Sequence, residues 1–336
     1  MIKRVLVTGA NGFVGSHVLQ ALQKRKDVQV IAACRDKTKL PACFRGEVRE
    51  GDLRDVNYLG AVVKNIDVLC HAAAWSSLWG HTDESRELFL LPSLGLINAA
   101  REAGVHRFVN TSSISAAAPD RSINPDSMGI SRPLWPHLCN VIAVENALRA
   151  QAGQDFQVAN LRLGIFAGER YALGLLPILM PRLKTHLVPW VAGGRTGLPI
   201  IDGRDIGEAF ALAALAEGIG GFEGFNIVGR EIPTVRQVIT FLHEEYKLPL
   251  PHFSVPFAIA YPFAWLMEKL DPVVPWEPLV TRSIVLLMEE TNADNSKAEH
   301  MLGYHPVHDW RESIRAQVQE MQVRQTRPMS MVKPVA

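Results

Sequence analysis

Thr8-Gly9-Ala10-Asn11-Gly12-Phe13-Val14-Gly15 is the first stretch of this 336-residue chain whose residue types and spacing could do chemistry. Glycines at these intervals bind phosphate when the turn joins a strand to a helix. Val5 to Val7 before the turn, and Val14, Val18, Ala21 and Leu22 at helical spacing after it, predict that context. Gly9 permits the tight turn, Gly12 lets a pyrophosphate approach the backbone, and Gly15 lets helix and strand pack closely. Free N–H groups and the positive end of the helix dipole then face the phosphates. Gly9, Asn11, Gly12, Phe13, Val14 and Gly15 are therefore candidate dinucleotide-binding residues. The end of the next strand selects the dinucleotide, because a carboxylate there hydrogen-bonds a ribose 2′-hydroxyl and repels a 2′-phosphate. Cys34-Arg35-Asp36-Lys37 stands at that point. With no carboxylate at Cys34 and Arg35 able to pair with a phosphate, NADP(H) is favoured over NAD(H), although Asp36 keeps NAD(H) as the alternative.

The elements that must position this turn are legible as short apolar runs. Val5 to Val7, Val28 to Cys34, Ile66 to Cys70 and Phe108 to Asn110 read as buried parallel strands, with helix-period segments between them. One such helix carries Leu94, Ile97, Asn98 and Arg101 and ends at Gly104. The fold class is α/β, a doubly wound parallel Rossmann sheet with right-handed crossovers and a smaller C-terminal substrate domain. The expected division is a dinucleotide-binding domain over 1–165, a mixed α/β domain over 166–315 with segments returning to the sheet, and a polar tail over 316–336. Val235 to Glu245 and Thr281 to Glu290 read as later helices. Phe253 to Met267 is apolar but carries Pro256 and Pro262, too short and broken for a membrane span. Packed core is its simplest reading; the alternatives are a cover over an apolar pocket and weak contact with a membrane surface.

Composition narrows the chemistry. Lys plus Arg number 35 against 34 Asp plus Glu, a net charge of +1 that gives no broad field for nucleic acid. Cys34, Cys43, Cys70 and Cys139 have no zinc or redox spacing, and His305 and His308 lack a third ligand, so no metal site is expected. No signal peptide is visible and the cysteines suit a reducing compartment, so the expected location is the cytoplasm. Neither Gly-x-Ser-x-Gly nor a lysine-containing P-loop occurs.

Further segments fall in a recognisable order: Gly51-Asp52-Leu53-Arg54-Asp55, His71-Ala72-Ala73-Ala74, Phe108-Val109-Asn110-Thr111-Ser112-Ser113, Leu161 to Gly168, and Ile201-Asp202-Gly203-Arg204-Asp205-Ile206. Together with the glycine turn they resemble the extended short-chain dehydrogenase/reductase family, also called the NAD-dependent epimerase/dehydratase family, over nearly the whole chain. The nearest branch is that of dihydroflavonol reductases and 3β-hydroxysteroid dehydrogenases. The resemblance implies that Asp52 and Leu53 contact the adenine, that Ala72 and Ala73 lie beside the cofactor, and that Ser113 is the active-site serine. It also implies a homodimer.

Family enzymes carry Tyr-x-x-x-Lys on one helix face, the ammonium lowering the tyrosine's pKa while the tyrosine exchanges a proton with the substrate oxygen. Alignment on Pro136-His137 and Glu145 places His137 at the tyrosine and Val141 at the lysine, and no tyrosine lies between Tyr58 and Tyr171. An asparagine that the family carries on the preceding helix is missing as well, with Pro92 near its expected place. His137 can still exchange a proton, since imidazole titrates near neutral pH, and Ser113 can still hydrogen-bond a carbonyl oxygen. Val141 can supply neither charge nor a donor. Two functions follow as expectations. One is an oxidoreductase moving hydride to or from a carbonyl or hydroxyl of an apolar small molecule. The other is a catalytically retired NADP(H)-binding module acting as a redox sensor or partner-binding protein, and behind both stands the weaker alternative of a scaffold whose pocket binds no nucleotide. Trp135 either fills the substrate space or stacks on a flat substrate, and Trp75 and Trp79 are placed to line the same cleft.

Overall fold

The computed structural model describes residues 2–117, 121–270, 280–289 and 292–326. Its first half runs β1 (Lys3–Thr8), α1 (Phe13–Gln23), β2 (Val28–Cys34), β3 (Glu47–Glu50), α2 (Val56–Val62), β4 (Val68–His71), α3 (Thr82–Ser85), α4 (Leu91–Glu102), β5 (Arg107–Ser113), α5 (Pro136–Gln151), β6 (Gln157–Leu163) and β7 (Ile165–Ala167). A π-helical turn at Arg86–Leu90 joins α3 to α4. The second half runs α6 (Leu175–Leu183), β8 (Trp190–Val191), β9 (Ile200–Asp202), α7 (Gly203–Leu215), β10 (Phe222–Ile227), α8 (Val235–Tyr246), β11 (Ser254–Val255), α9 (Phe257–Leu270), α10 (Arg282–Leu287), α11 (Ser296–Leu302) and α12 (Trp310–Thr326).

Seven strands form one parallel sheet in the order β10-β6-β5-β4-β1-β2-β3. Its central strands are apolar throughout because helices cover both faces. On one face Val14, Val18 and Leu22 of α1 pack with Ile206, Phe210 and Ala214 of α7. On the other, Leu59, Ile97 and Val144 from α2, α4 and α5 share a core. The parallel pairs β7–β9 and β8–β11 belong to a smaller lobe, in which Leu176, Val238, Trp310 and Ile314 of α6, α8 and α12 pack together. Strand order reverses between β1 and β4, so the crevice beyond their carboxyl ends is where this topology binds ligands.

Three segments differ from the sequence expectation. Residues 316–326 of the expected polar tail continue α12, because Ile314, Val318 and Met321 recur at helical spacing and turn into the small lobe. Gln317 on the same helix is buried and donates to the Leu173 carbonyl at 2.8 Å. Residues 327–336 lie outside the description. The Phe253 to Met267 stretch is largely at the surface instead of forming packed core. Its helix α9 buries Ala260, Ala264 and Glu268, while Ile259, Phe263, Trp265 and Leu266 are exposed. Small residues at spacing four let α9 lie close to its support, and Glu268 anchors it through Arg282 at 2.6 Å. Finally, β3 is a charged edge strand that no apolar run announced. No helix among the described residues is long and apolar enough to cross a membrane.

A buried ion pair fixes α5 against the sheet. Glu145 Oε2 accepts from Arg162 Nη2 at 2.7 Å, and both side chains are essentially inaccessible. Glu145 Oε1 accepts from Ser112 Oγ, Asn160 Nδ2 and Arg162 Nε at 2.5, 2.8 and 2.9 Å, so one carboxylate ties β5, β6 and α5 together. Removing one partner of such a pair leaves an uncompensated buried charge. Glu145→Ala is expected to lower unfolding free energy by about 3–5 kcal/mol, read by denaturant titration; an unchanged midpoint would show that the pair does not hold the helix.

Candidate active site

The glycine turn sits at the strand reversal. Gly9 has φ +62°, and a Cβ there would stand 2.6 Å from the Ala73 Cα and 2.8 Å from the Ala72 carbonyl, so the ends of β1 and β4 meet backbone to backbone. A Cβ at Gly15 would lie 2.2 Å from the Gly9 carbonyl oxygen. At Gly12 the nearest atom to a built Cβ is that same oxygen at 3.2 Å, and nothing else lies within 4 Å. Gly12 N donates to Gly9 O and Ser16 N to Gly12 O, while no side chain caps α1 and no acid stands in its first turn. The N–H groups of Phe13, Val14 and Gly15 therefore have no acceptor among the described residues, and they stand at the dipole's positive end behind the exposed Gly12, which fits the diphosphate of a dinucleotide. Asn11 has a different task, its Nδ2 donating to the Asp36 carbonyl at 2.9 Å and tying the turn to the end of β2.

Around this cradle, the selectivity residues divide clearly. Arg35 is exposed and makes no hydrogen bond or ion pair among the described residues. Asp36 is already engaged: its carboxylate accepts from Thr38 N and Oγ1 at 3.0 and 2.5 Å and lies 3.2 Å from Lys39 Nζ. Hydrogen bonds from Thr38 and Lys39 hold its pKa below the usual carboxylate range. Asp52 is gripped by Arg54 through both oxygens, the closest contact being 2.6 Å, which also lowers its pKa. Leu53 packs partly buried against the α2–α4 core. Ala72 is buried and Ala73 partly so, with Ala73 N 3.4 Å from Thr8 Oγ1.

Under these strand ends runs a buried relay. Ser93 Oγ donates to the Phe89 carbonyl at 2.7 Å, so it accepts from His71 Nε2 at 3.0 Å, and His71 Nδ1 accepts from Thr8 Oγ1 at 2.8 Å. Burial pulls the His71 pKa down to about 4, which keeps the ring neutral. Ser93 was not signalled by the motifs; one polar residue on the inner face of α4 was the available clue.

The expected catalytic residues stand at the same carboxyl edge. Ser113 ends β5, its Oγ accepting from Ser115 N at 3.2 Å. His137 lies in the first turn of α5, edge-on to Phe89 and Trp75 at ring separations of 5.0 and 6.1 Å. No hydrogen bond joins Ser113 to His137 among the described residues. Burial lowers the His137 pKa to about 4, in place of the near-neutral titration expected from sequence. Its Nδ1 is 3.1 Å from Ser85 Oγ, and Asn140 Nδ2 donates to that oxygen at 2.9 Å; neither partner was visible in the motifs. Val141 is buried with Phe89 and Val144, so a core side chain fills the position aligned with the family's lysine. Trp135 is buried against Leu138 and Ile142, and its Nε1 donates to the Ser77 carbonyl at 2.8 Å. It is a wall of the site, committed to packing and to that bond. His308 Nδ1 pairs with Asp205 at 2.8 Å, and the described residues hold no metal-binding cluster.

Fold and site together define a dinucleotide-binding α/β protein whose cofactor crevice opens beside a polar corner. The chain belongs to the NAD dependent epimerase/dehydratase family, whose model matches residues 5–227, within the extended short-chain dehydrogenase/reductases. It is 26% identical over 308 residues to the 4-hydroxy-2-methyl-3-oxo-4-farnesyl-3,4-dihydroquinoline-1-oxide ketoreductase of Stigmatella aurantiaca, covering 90% of this chain and 91% of that one. A 3 beta-hydroxysteroid dehydrogenase/Delta 5-->4-isomerase of Mycobacterium tuberculosis is 39% identical over 127 residues, 36% of this chain and 34% of that one. The crystal structure of gox2253 superposes with TM-score 0.74 at 23% identity, covering 96% of this chain and 98% of that one, and so shares the fold.

The glycines separate folding from binding. Gly12→Val is expected to cost much less stability than Gly15→Ala, its Cβ meeting only the Gly9 carbonyl at 3.2 Å, while weakening dinucleotide binding roughly 100-fold or more, because its side chain would occupy the diphosphate cradle. Gly15→Ala is expected to destabilise the fold itself. Fluorescence titration alongside a melting curve checks both; a Gly12→Val chain that binds like the parent would mean the cradle is not the binding site.

Proposed function

We propose that the chain is an NADP(H)-dependent oxidoreductase acting on a carbonyl or hydroxyl of an apolar small molecule. The carrying observation is the uncapped, side-chain-free head of α1, opening at the sheet edge that also bears Ser113 and His137. The α1 amides and Gly12 hold the diphosphate, and Ala72 and Ala73 give it a smooth floor. Arg35, unpaired, takes the 2′-phosphate, while the Lys39 ammonium 3.2 Å from Asp36 offsets that carboxylate's charge. A reduced nicotinamide held there would supply the hydride that a carbonyl carbon accepts as its π pair moves onto oxygen. Ser113 and His137 donate hydrogen bonds to that oxygen, and a proton drawn from solvent completes the alcohol. His137, neutral at pH 7, acts as a donor rather than as an imidazolium.

Apolar substrate chemistry is supported by the names of two relatives, one a ketoreductase of a farnesylated ring system and one a hydroxysteroid dehydrogenase. Residues 166–315 are the proposed substrate-binding portion, with the exposed apolar face of α9 available to a greasy ligand or a membrane surface. A cytoplasmic location belongs to the same proposal. One observation favours the second reading, a retired NADP(H)-binding module: Val141 is packed into the core, so that position offers no ammonium to steady the ribose or the developing charge.

Turnover decides between them. With NADPH and a panel of apolar ketones, loss of reduced-nicotinamide absorbance is expected, its rate falling about 100- to 1,000-fold in His137→Ala. The pH–rate profile should show no His137 inflection near 6.5, the ordinary value for imidazole, because the ring stays neutral until the pH falls to about 4. Bound NADPH with no turnover across the panel, and parent and His137→Ala alike, would establish the retired reading instead.

A further inference from the structure

Ser85 is fully buried at the end of α3, where the chain passes into the π-helical turn. Its hydroxyl has two partners among the described residues, the donating Asn140 Nδ2 at 2.9 Å and His137 Nδ1 at 3.1 Å. A hydroxyl carries one proton and two lone pairs. Asn140 fills a lone pair, so the acceptor within reach of the Ser85 proton is His137 Nδ1. An imidazole that accepts at Nδ1 when neutral carries its proton at Nε2. The opposite tautomer would leave the Ser85 proton without an acceptor in a dry site, the costly arrangement for a buried polar group.

We propose that Ser85, itself held by Asn140, is a positioning residue that fixes His137 as the Nε2–H tautomer and thereby makes the free edge of the ring a hydrogen-bond donor for the substrate oxygen. The proposal rests on the reading of His137 as the group that meets that oxygen. Three elements cooperate. His137 and Asn140 are three apart on α5 and so share a helix face, and α3 brings Ser85 between them. Phe89 and Trp75 stand edge-on to the ring and restrain its rotation. A neutral imidazole so held polarises a carbonyl without first being protonated, and the tautomer, set by the partner of the other nitrogen, decides whether the exposed edge donates or accepts. Tyrosine needs no such device, because a phenol is a donor in either rotamer; a histidine in its place does.

The test is the protonation pattern of the His137 ring in the intact 15N-histidine-labelled chain at pH 7, read by long-range proton–nitrogen correlation and assigned by loss of the signal in His137→Gln. The expected pattern is a protonated Nε2 and an accepting Nδ1. Ser85→Ala should shift population toward the Nδ1–H form and lower kcat roughly 100-fold with KM for NADPH unchanged, whereas Ser85→Thr, which keeps the hydroxyl, should retain the parent pattern and most of the rate. A parent chain in the Nδ1–H form, or a Ser85→Ala chain with the parent's pattern, would overturn the proposal. The spectroscopic readout needs no turnover: a tautomer that switches with Ser85 in a chain reducing no ketone supports the positioning of His137 and removes the oxidoreductase reading alone.

Discussion

Backbone meets backbone where β1 and β4 end, and the rest of the molecule is arranged around that approach. Gly9 and Gly15 lack side chains because Ala72, Ala73 and the Gly9 carbonyl already occupy the space a Cβ would take. That closeness brings the head of α1 down onto the sheet at the strand reversal, with its first amides unspent. A capped or acid-bearing first turn would satisfy those donors internally and leave nothing to offer a diphosphate. Instead the helix end remains electrostatically open, and only Gly12 faces the opening without steric support from the fold.

Two buried polar networks hold the walls of this crevice in register. The Glu145–Arg162 pair, with Ser112 and Asn160, fixes the helix bearing His137 to the strand ending in Ser113. The Thr8–His71–Ser93 relay fixes the ends of β1 and β4 to α4. Every residue of the two networks finds a partner inside the protein, although Arg162 Nη1 is buried without one, and paired buried groups of this kind specify geometry. The same burial that makes these networks stiff depresses both His71 and His137 to a pKa of about 4, so the corner works with neutral imidazole.

Local signals were legible in the sequence, and signals made by distant residues were not. The glycine turn and the runs around Val5, Val28 and Phe108 are decided within one strand or one turn; the runs all lie in the seven-stranded parallel sheet and the turn joins β1 to α1. Edge strand β3 escaped because its Glu47-Val48-Arg49-Glu50 faces solvent and has no apolar run to show. Composition misled at both late segments. The polar average of α12 hid a buried face at Ile314 and Val318, and the apolar average of α9 hid the fact that only its small residues are covered. At the site, Ser113 and His137 were nominated by position in a motif. The contact between Ser85 and His137 spans 52 residues, and a depressed imidazole pKa is a property of packing, so neither is written in any window of sequence.

The central claim is that the head of α1 holds a dinucleotide's diphosphate through bare amides, with Arg35 reading the 2′-phosphate. Isothermal titration calorimetry of the intact folded chain with NADPH and with NADH tests it most directly. The account predicts one NADPH bound per chain, more tightly than NADH. Folded protein that takes up neither ligand at millimolar concentration would contradict it.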